Sequence, residues 1–324
     1  MKPKIAVTRE VFQETLDRLS QHFDVSDNQT DKILTPTDLA NLLHDKVGAL
    51  TALTDPIDES LLLKCPRLKA VCNIAVGYNN IDVPACTKRR VMVTNTPGVL
   101  DATTADFAFA LLLATARRVT EAEASLRRGE WERWKLKQFL GADVHGATLG
   151  IIGMGRIGQV VAHRSRGFDM RVIYHNRNRL DPATESAFNA GYADMETLLG
   201  TADFVLLMAP YSPATHHLIG APQLALMKRS AIIINMARGG IVDDAALIVA
   251  LKNRAIAGAG LDVYENEPQL NPEFLTLKNV VLTPHIGSSS EATRKKMAMT
   301  AAENLIAALT GGTPANLVNA PTSS

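Results

Sequence analysis

The sequence predicts an α/β protein of two doubly wound parallel-sheet domains, and three observations carry that prediction. Short apolar runs alternate with helical patterns from end to end, which implies parallel strands joined by helical crossovers. The 324 residues suffice for about two domains, each with a core of its own. Aromatic residues are 5% of the chain against 46% hydrophobic residues. The apolar content is therefore aliphatic and Ala-rich, which suits helices on a sheet better than a β-sandwich.

The first hundred residues contain one small series. Residues 4–9 read as a strand and 11–23 as a helix, with Val11, Phe12, Thr15, Leu16 and Leu19 on one face. Strands at 48–53, 68–75 and 91–96 follow, with helical segments at 37–44 and 58–64 between the earlier ones. A long helix is expected over 103–128, capped at Asp101 or Thr103 and stopped at Gly129. A second series then places strands at 148–153, 171–176, 203–210, 231–236, 257–264 and 280–284. A last helix over 291–309 leads into a polar tail, 311–324, and is expected to cross back to the first domain. The second domain is thus an insertion, 101–286, and the first is assembled from 1–100 and 287–324.

Charge and cysteine usage narrow the class of function. With 34 Lys+Arg against 33 Asp+Glu the formal charge is +1, so neither a nucleic-acid nor an anionic-lipid footprint is present. Cys65, Cys72 and Cys86 are odd in number and match no zinc spacing, so neither a disulfide framework nor a metal site is expected. The amino terminus turns charged within ten residues and has no apolar leader segment. Residues 107–116, the most apolar helical stretch, are about half a membrane span. A soluble, cytoplasmic protein is expected, with no membrane partner.

The second series opens on Thr148-Leu-Gly-Ile-Ile-Gly-Met-Gly-Arg-Ile-Gly, which sets Gly153, Gly155 and Gly158 in a G-x-G-x-x-G frame between strand and helix. In that context the glycines serve a tight turn, close approach of backbone to a pyrophosphate, and helix-on-strand packing. The helix start, rimmed by Arg156 and Ile157, supplies N–H groups to the phosphates. Six strands after such a turn describe a dinucleotide-binding Rossmann domain. A purely structural glycine turn is the alternative. The second strand ends in His175-Asn-Arg-Asn-Arg179 and reaches no acid before Asp181. Asn176 stands where an NAD site places its acid, and Arg177 and Arg179 follow, a pattern suited to a 2′-phosphate. NADPH is the expected cofactor, with NADH as second choice. A merely basic, solvated turn is the competing reading.

Three ionisable residues close the later strands, on the side where open α/β sheets bind ligands. Arg238 precedes Gly239-Gly240, Glu267 lies in Leu261-Asp-Val-Tyr-Glu-Asn-Glu-Pro, and His285 precedes Ile286-Gly287. Reduction of a 2-oxo acid needs an anion clamp, a proton donor and a group that keeps the donor charged. Arg, His and Glu supply those roles.

Four runs in order (149–158, 234–243, 260–268 and 283–288) resemble the D-isomer-specific 2-hydroxyacid dehydrogenases over nearly the whole chain. Within them the likeness is greatest to the glyoxylate/hydroxypyruvate and 2-ketogluconate reductases. The resemblance implies a Rossmann domain inserted in a flavodoxin-like substrate domain. It makes Arg238 the substrate-binding arginine, Glu267 the partner carboxylate and His285 the general acid/base. It matches Asp262 to the residue holding the nicotinamide carboxamide. Ala209, Pro210, Thr215, Thr104 and Gly287 match positions bordering the cofactor. Ala75-Val-Gly-Tyr matches the loop whose N–H groups bind the substrate carboxylate, centred on Val76 and Gly77. From its residues alone, that loop is either an anion nest or a plain turn. Trp134 matches a tryptophan that reaches the partner's active site in a homodimer, with a packing Trp as the bland alternative. A 3-phosphoglycerate-type dehydrogenase and a dinucleotide-sensing regulator are the rival functions.

Overall fold

Strands whose residues alternate between two covered faces must be apolar on both, and the central strands here are. The computed structural model describes residues 1–319, and the last five residues of the expected tail, 320–324, lie outside the described residues. The chain divides into two units, Met1–Leu100 with the chain from Ser289 on, and Asp101–Ser288. The second junction falls two residues beyond the expected 286/287, inside the Gly287–Ser290 stretch.

In the first unit the order is β1 (Lys4–Val7), α1 (Gln13–Ser20), β2 (Asp24–Asp27), α2 (Pro36–Leu43), β3 (Gly48–Thr51), α3 (Glu59–Lys64), β4 (Ala70–Asn73), α4 (Val83–Lys88) and β5 (Met92–Thr94). The five strands are parallel in the order β2-β1-β3-β4-β5, the flavodoxin-like doubly wound order. One face packs Leu39, Leu43, Leu61 and Leu62, and the other packs Leu16 and Leu19. Two elements here escape the sequence reading. β2 is Asp-Val-Ser-Asp at the sheet edge with no fully buried residue, so it has no apolar signature. α4 is short and carries Pro84 in its first turn, where proline costs the helix nothing.

The second unit begins with α5 (Asp101–Ala116) and α6 (Val119–Arg127). The single helix expected over 103–128 is therefore two. Arg118 sits in the left-handed region at φ 52, and the Ala116 carbonyl accepts the Ala142 N–H at 2.9 Å. That crossing segment takes an acceptor that a continuing helix would need. There follow β6 (Thr148–Ile152), α7 (Arg156–Ser165), β7 (Arg171–His175), α8 (Pro182–Phe188), β8 (Ala190–Tyr192), α9 (Met195–Thr201) and β9 (Phe204–Leu207). The unit closes with α10 (Ala221–Leu226), β10 (Ile232–Asn235), α11 (Asp244–Lys252), β11 (Gly258–Leu261) and β12 (Val280–Leu282). Seven parallel strands run β12-β11-β10-β9-β6-β7-β8. The seventh, β8, is a three-residue edge strand too short to read as a period.

Strand order reverses between β6 and β9, and a Rossmann-type sheet binds its ligand at that switch point, beyond the strands' carboxyl ends. Helices α5 and α7 contribute Leu111, Leu112 and Val161 to one face of this sheet. Helices α9 and α11 contribute Leu198, Leu247 and Leu251 to the other. The final helix, α12 (Glu291–Leu309), belongs to the first unit, where Leu305 joins the core beneath β1 and β3.

Candidate active site

The glycine turn stands at the switch point. Gly153 takes φ +98, and a Cβ there would lie 2.4 Å from the backbone nitrogen of Ala209. Only glycine allows the loops after β6 and β9 to touch. The Gly153 N–H donates to the His175 carbonyl at 2.9 Å. The Met154 N–H donates to Asn176 Oδ1 at 2.7 Å, so Asn176 is built into the turn itself. α7 starts at Arg156 behind Gly155, with no side chain capping it. Helices α2, α3, α4, α8, α9, α11 and α12 are each capped by their own Thr, Asp or Ser. A Cβ at Gly155 would meet no atom within 4 Å. An uncapped helix start beside open space fits a bound phosphate group. Gly158 packs against Gly153, Ile157 against the core, and Arg156 extends toward Asp101 at 3.7 Å.

The two arginines after β7 differ in what they touch. Both nitrogens of the Arg179 fork bind Glu185 at 2.8 Å, and its guanidinium lies 5.7 Å from the Tyr192 ring centre. Arg179 and the Tyr174 hydroxyl hold the Glu185 carboxyl down at about 2. Arg177 is exposed and has no ion pair among the described residues. The loop after β9 is closed by Thr215, whose hydroxyl donates to the Pro210 carbonyl at 2.9 Å and accepts the Ser212 N–H at 2.7 Å.

The ends of β10, β11 and β12 assemble the ionisable residues. After β10, Asn235 accepts the Ala237 N–H at 3.1 Å and donates to the Arg238 carbonyl at 3.3 Å, shaping the turn that carries Arg238. Gly239 then passes so close to the next loop that a Cβ would lie 1.7 Å from the Tyr264 carbonyl oxygen. After β11, Asp262 is 2% exposed. It accepts the Thr283 hydroxyl at 2.7 Å, the Ile286 N–H at 2.8 Å and the Gly287 N–H at 2.9 Å. The His285 N–H donates to the Asp262 carbonyl at 2.9 Å. Asp262 thus clamps the turn carrying His285. Thr104 closes the same corner, with a methyl 3.6 Å from where a Gly287 Cβ would be.

Glu267 joins His285 through Oε2 at 2.7 Å from Nδ1. Its other oxygen accepts the Tyr264 N–H at 2.8 Å. Burial alone would raise the Glu267 carboxyl. The His285 bond and charge, the Tyr264 N–H and the Arg238 charge outweigh it, and the net displacement is downward. Burial pulls the Arg238 guanidinium below its ordinary value, opposed by the charge of Glu267. It still stays protonated, as guanidinium groups do in proteins. Burial raises Asp262, against the hydrogen bonds it accepts.

Arg238, Glu267 and His285 therefore come together, as do Thr104, Asp262 and Gly287. Val76 and Gly77 lie in the first unit, on the loop after β4. Trp134 is 74% exposed in the segment after α6. Tyr264, Thr283 and Asn235 are supporting residues that the sequence reading missed. Asn235, closing an Ile-Ile-Ile run, was the legible one: a polar group at a buried strand end must find partners.

The D-isomer specific 2-hydroxyacid dehydrogenase NAD binding domain matches residues 109–287. The chain belongs to that family. Across the family, the glyoxylate reductase of Thermococcus gammatolerans is 48% identical over 98% of this chain and 96% of its own. That of Aeropyrum pernix is 47% identical over 98% and 96%. Among solved structures, a glyoxylate reductase from Paecilomyes thermophila superposes with a TM-score of 0.87 at 34% identity, covering 98% of this chain and 99% of that one. An NADPH-dependent glyoxylate/hydroxypyruvate reductase from Sinorhizobium meliloti, in complex with NADP and malonate, has a TM-score of 0.88 at 32% identity, covering 98% and 97%. The protein is an NAD(P)-dependent oxidoreductase. No helix of the described residues is long and apolar enough to cross a membrane.

Proposed function

We propose that the protein reduces small 2-oxo acids (glyoxylate, hydroxypyruvate or 2-ketogluconate) to D-2-hydroxy acids with NADPH. The observation that carries this is the His285–Glu267 pair at 2.7 Å beside the charge of Arg238. The cofactor supplies the hydride that reaches C2 of the oxo acid. Glu267 holds the imidazole by Nδ1, leaving Nε2 to give the proton to the developing alkoxide. Arg238 binds the carboxylate and polarises the carbonyl, and in the first unit the Val76–Gly77 loop is the proposed carboxylate-binding turn. The uncapped start of α7 and the open face of Gly155 would hold the pyrophosphate. Asp262 would hold the nicotinamide carboxamide, and Thr104, Gly287, Ala209, Pro210 and Thr215 would border the cofactor.

NADPH preference rests on the missing acid after β7 and on the exposed Arg177, with Arg179 acting through the bend it braces against Glu185. The relative in complex with NADP is in keeping with it. A homodimer is the proposed assembly, supported by the exposed Trp131, Trp134, Leu136 and Leu140, which a second copy would cover. Three buried, unpaired thiols suit the cytoplasmic setting we propose.

The test is oxidation of NADPH and of NADH against glyoxylate, hydroxypyruvate and 2-ketogluconate. Turnover with at least one acid, faster with NADPH, is expected. Tight cofactor binding with no turnover of any of them would overturn the reading in favour of a regulator.

A further inference from the structure

We propose that Asn95 and Asn73 are positioning residues that present the N–H groups of the Val76–Gly77 loop to the substrate's carboxylate. The inference rests on the 2-oxo-acid reading above. In a planar trans peptide the C=O and the following N–H point in opposite directions. Fixing a carbonyl therefore aims the next residue's N–H. Three successive carbonyls of this loop are fixed from within the first unit. The Ala75 carbonyl accepts the Thr96 N–H at 2.9 Å. The Val76 carbonyl accepts Asn95 Nδ2 at 2.7 Å, and the Gly77 carbonyl accepts Asn73 Nδ2 at 2.9 Å. The N–H groups aimed by these bonds belong to Val76, Gly77 and Tyr78. Among the described residues, the Val76 and Gly77 N–H groups have no acceptor. Successive backbone N–H groups left unbonded in a turn are the donors of which an anion-binding concavity is made.

The Asn73 carboxamide and the Asn95 backbone are themselves held. Asn73 is fully buried and accepts the Thr51 hydroxyl at 3.4 Å. Asn80, 3.4 Å from Asn73 Nδ2, is anchored to the carbonyls of Ala52 and Asp55 at 3.1 and 2.9 Å. The Asn95 N–H donates to the Asn316 carbonyl at 3.3 Å. The Asn95 carbonyl accepts Asn304 Nδ2 at 3.3 Å, and the same nitrogen lies 3.1 Å from Asn316 Oδ1. Helix α12 and the segment after it thus brace the residue that aims the Gly77 N–H. No side chain of the loop itself need contact the substrate for this to set affinity.

The experiment compares the unsubstituted enzyme with Asn95→Asp, nearly the same shape but unable to donate, and with Asn95→Ala. The readings are KM and kcat for glyoxylate, the inhibition constant of oxamate, the Kd of NADPH, and Tm. Losing one aimed N–H to a charged group should raise KM and the oxamate constant together by about tenfold or more. A smaller change in kcat is expected, with Kd for NADPH and Tm close to the unsubstituted values. An unchanged KM and oxamate constant would overturn the proposal. So would a parallel loss of kcat, NADPH binding and Tm in both variants, which is what a merely structural role produces. Failure of the unsubstituted enzyme to reduce any 2-oxo acid is seen before any variant is made. It would overturn the reductase reading and this proposal together.

Discussion

At the scale of single residues the site is a set of charges whose stability cost is legible. Glu267 lies below the ordinary carboxylate range, so the stability it contributes is present above that range and is lost as pH falls through its lowered pKa. Asp244 behaves oppositely. It opens α11, is 6% exposed, and accepts the Glu265 N–H at 3.1 Å. Burial first, then the neighbouring charges of Glu265 and Asp243, push it from 3.8 up to about 6, although the Glu265 bond lowers it. The folded chain therefore holds a proton that the unfolded chain releases, and stability falls as pH rises through that window. A carboxamide at this position cannot ionise, so Asp244→Asn should gain on the parent by up to ~3 kcal/mol between about pH 4 and about pH 7. Urea unfolding at the two pH values checks this, and a stability difference that does not change with pH would contradict it. Arg238, Glu267 and His285 were legible because each lies in the loop that follows a strand of an open α/β sheet. Tyr264 and Thr283 were not, since their work is done by a backbone N–H and a hydroxyl whose partners are distant in sequence.

At the scale of elements, apolar period located the buried strands, and caps decided what it could not. The glycine turn after β6 was legible from spacing and context. The crossing at Ala116 that divides α5 from α6 was not, because its cause lies 26 residues further on. The bend after β7 carries the second prediction. Asn176 accepts the Met154 N–H through Oδ1, and an aspartate keeps that acceptor while adding a charge. Asn176→Asp with Arg177→Ala should therefore leave the turn intact and move preference toward NADH by about tenfold or more, as loss of a charge-assisted phosphate contact implies. The ratio of kcat/KM values for the two cofactors measures it, and an unmoved ratio would remove the 2′-phosphate from the account.

At the scale of the whole molecule, the insertion of one doubly wound unit in another was readable from where the glycine turn falls. Its boundary shifted by two residues because a loop has no period to mark it. Assembly is the property least visible in a single chain. Four large apolar side chains are exposed within ten residues, Trp131, Trp134, Leu136 and Leu140, and the proposed dimer would cover them. Light scattering should give about twice the chain mass of 35.0 kDa, and Trp134→Glu should move the distribution toward the single chain. A monomer at all concentrations would rule out the dimer.

His285 is the proposed proton donor to a 2-oxo acid, and the steady-state reduction of glyoxylate by His285→Ala tests that role most directly. The predicted result is a kcat lowered by roughly 10²–10⁴-fold, with the Kd of NADPH nearly unchanged. A kcat close to that of the unsubstituted enzyme would contradict it.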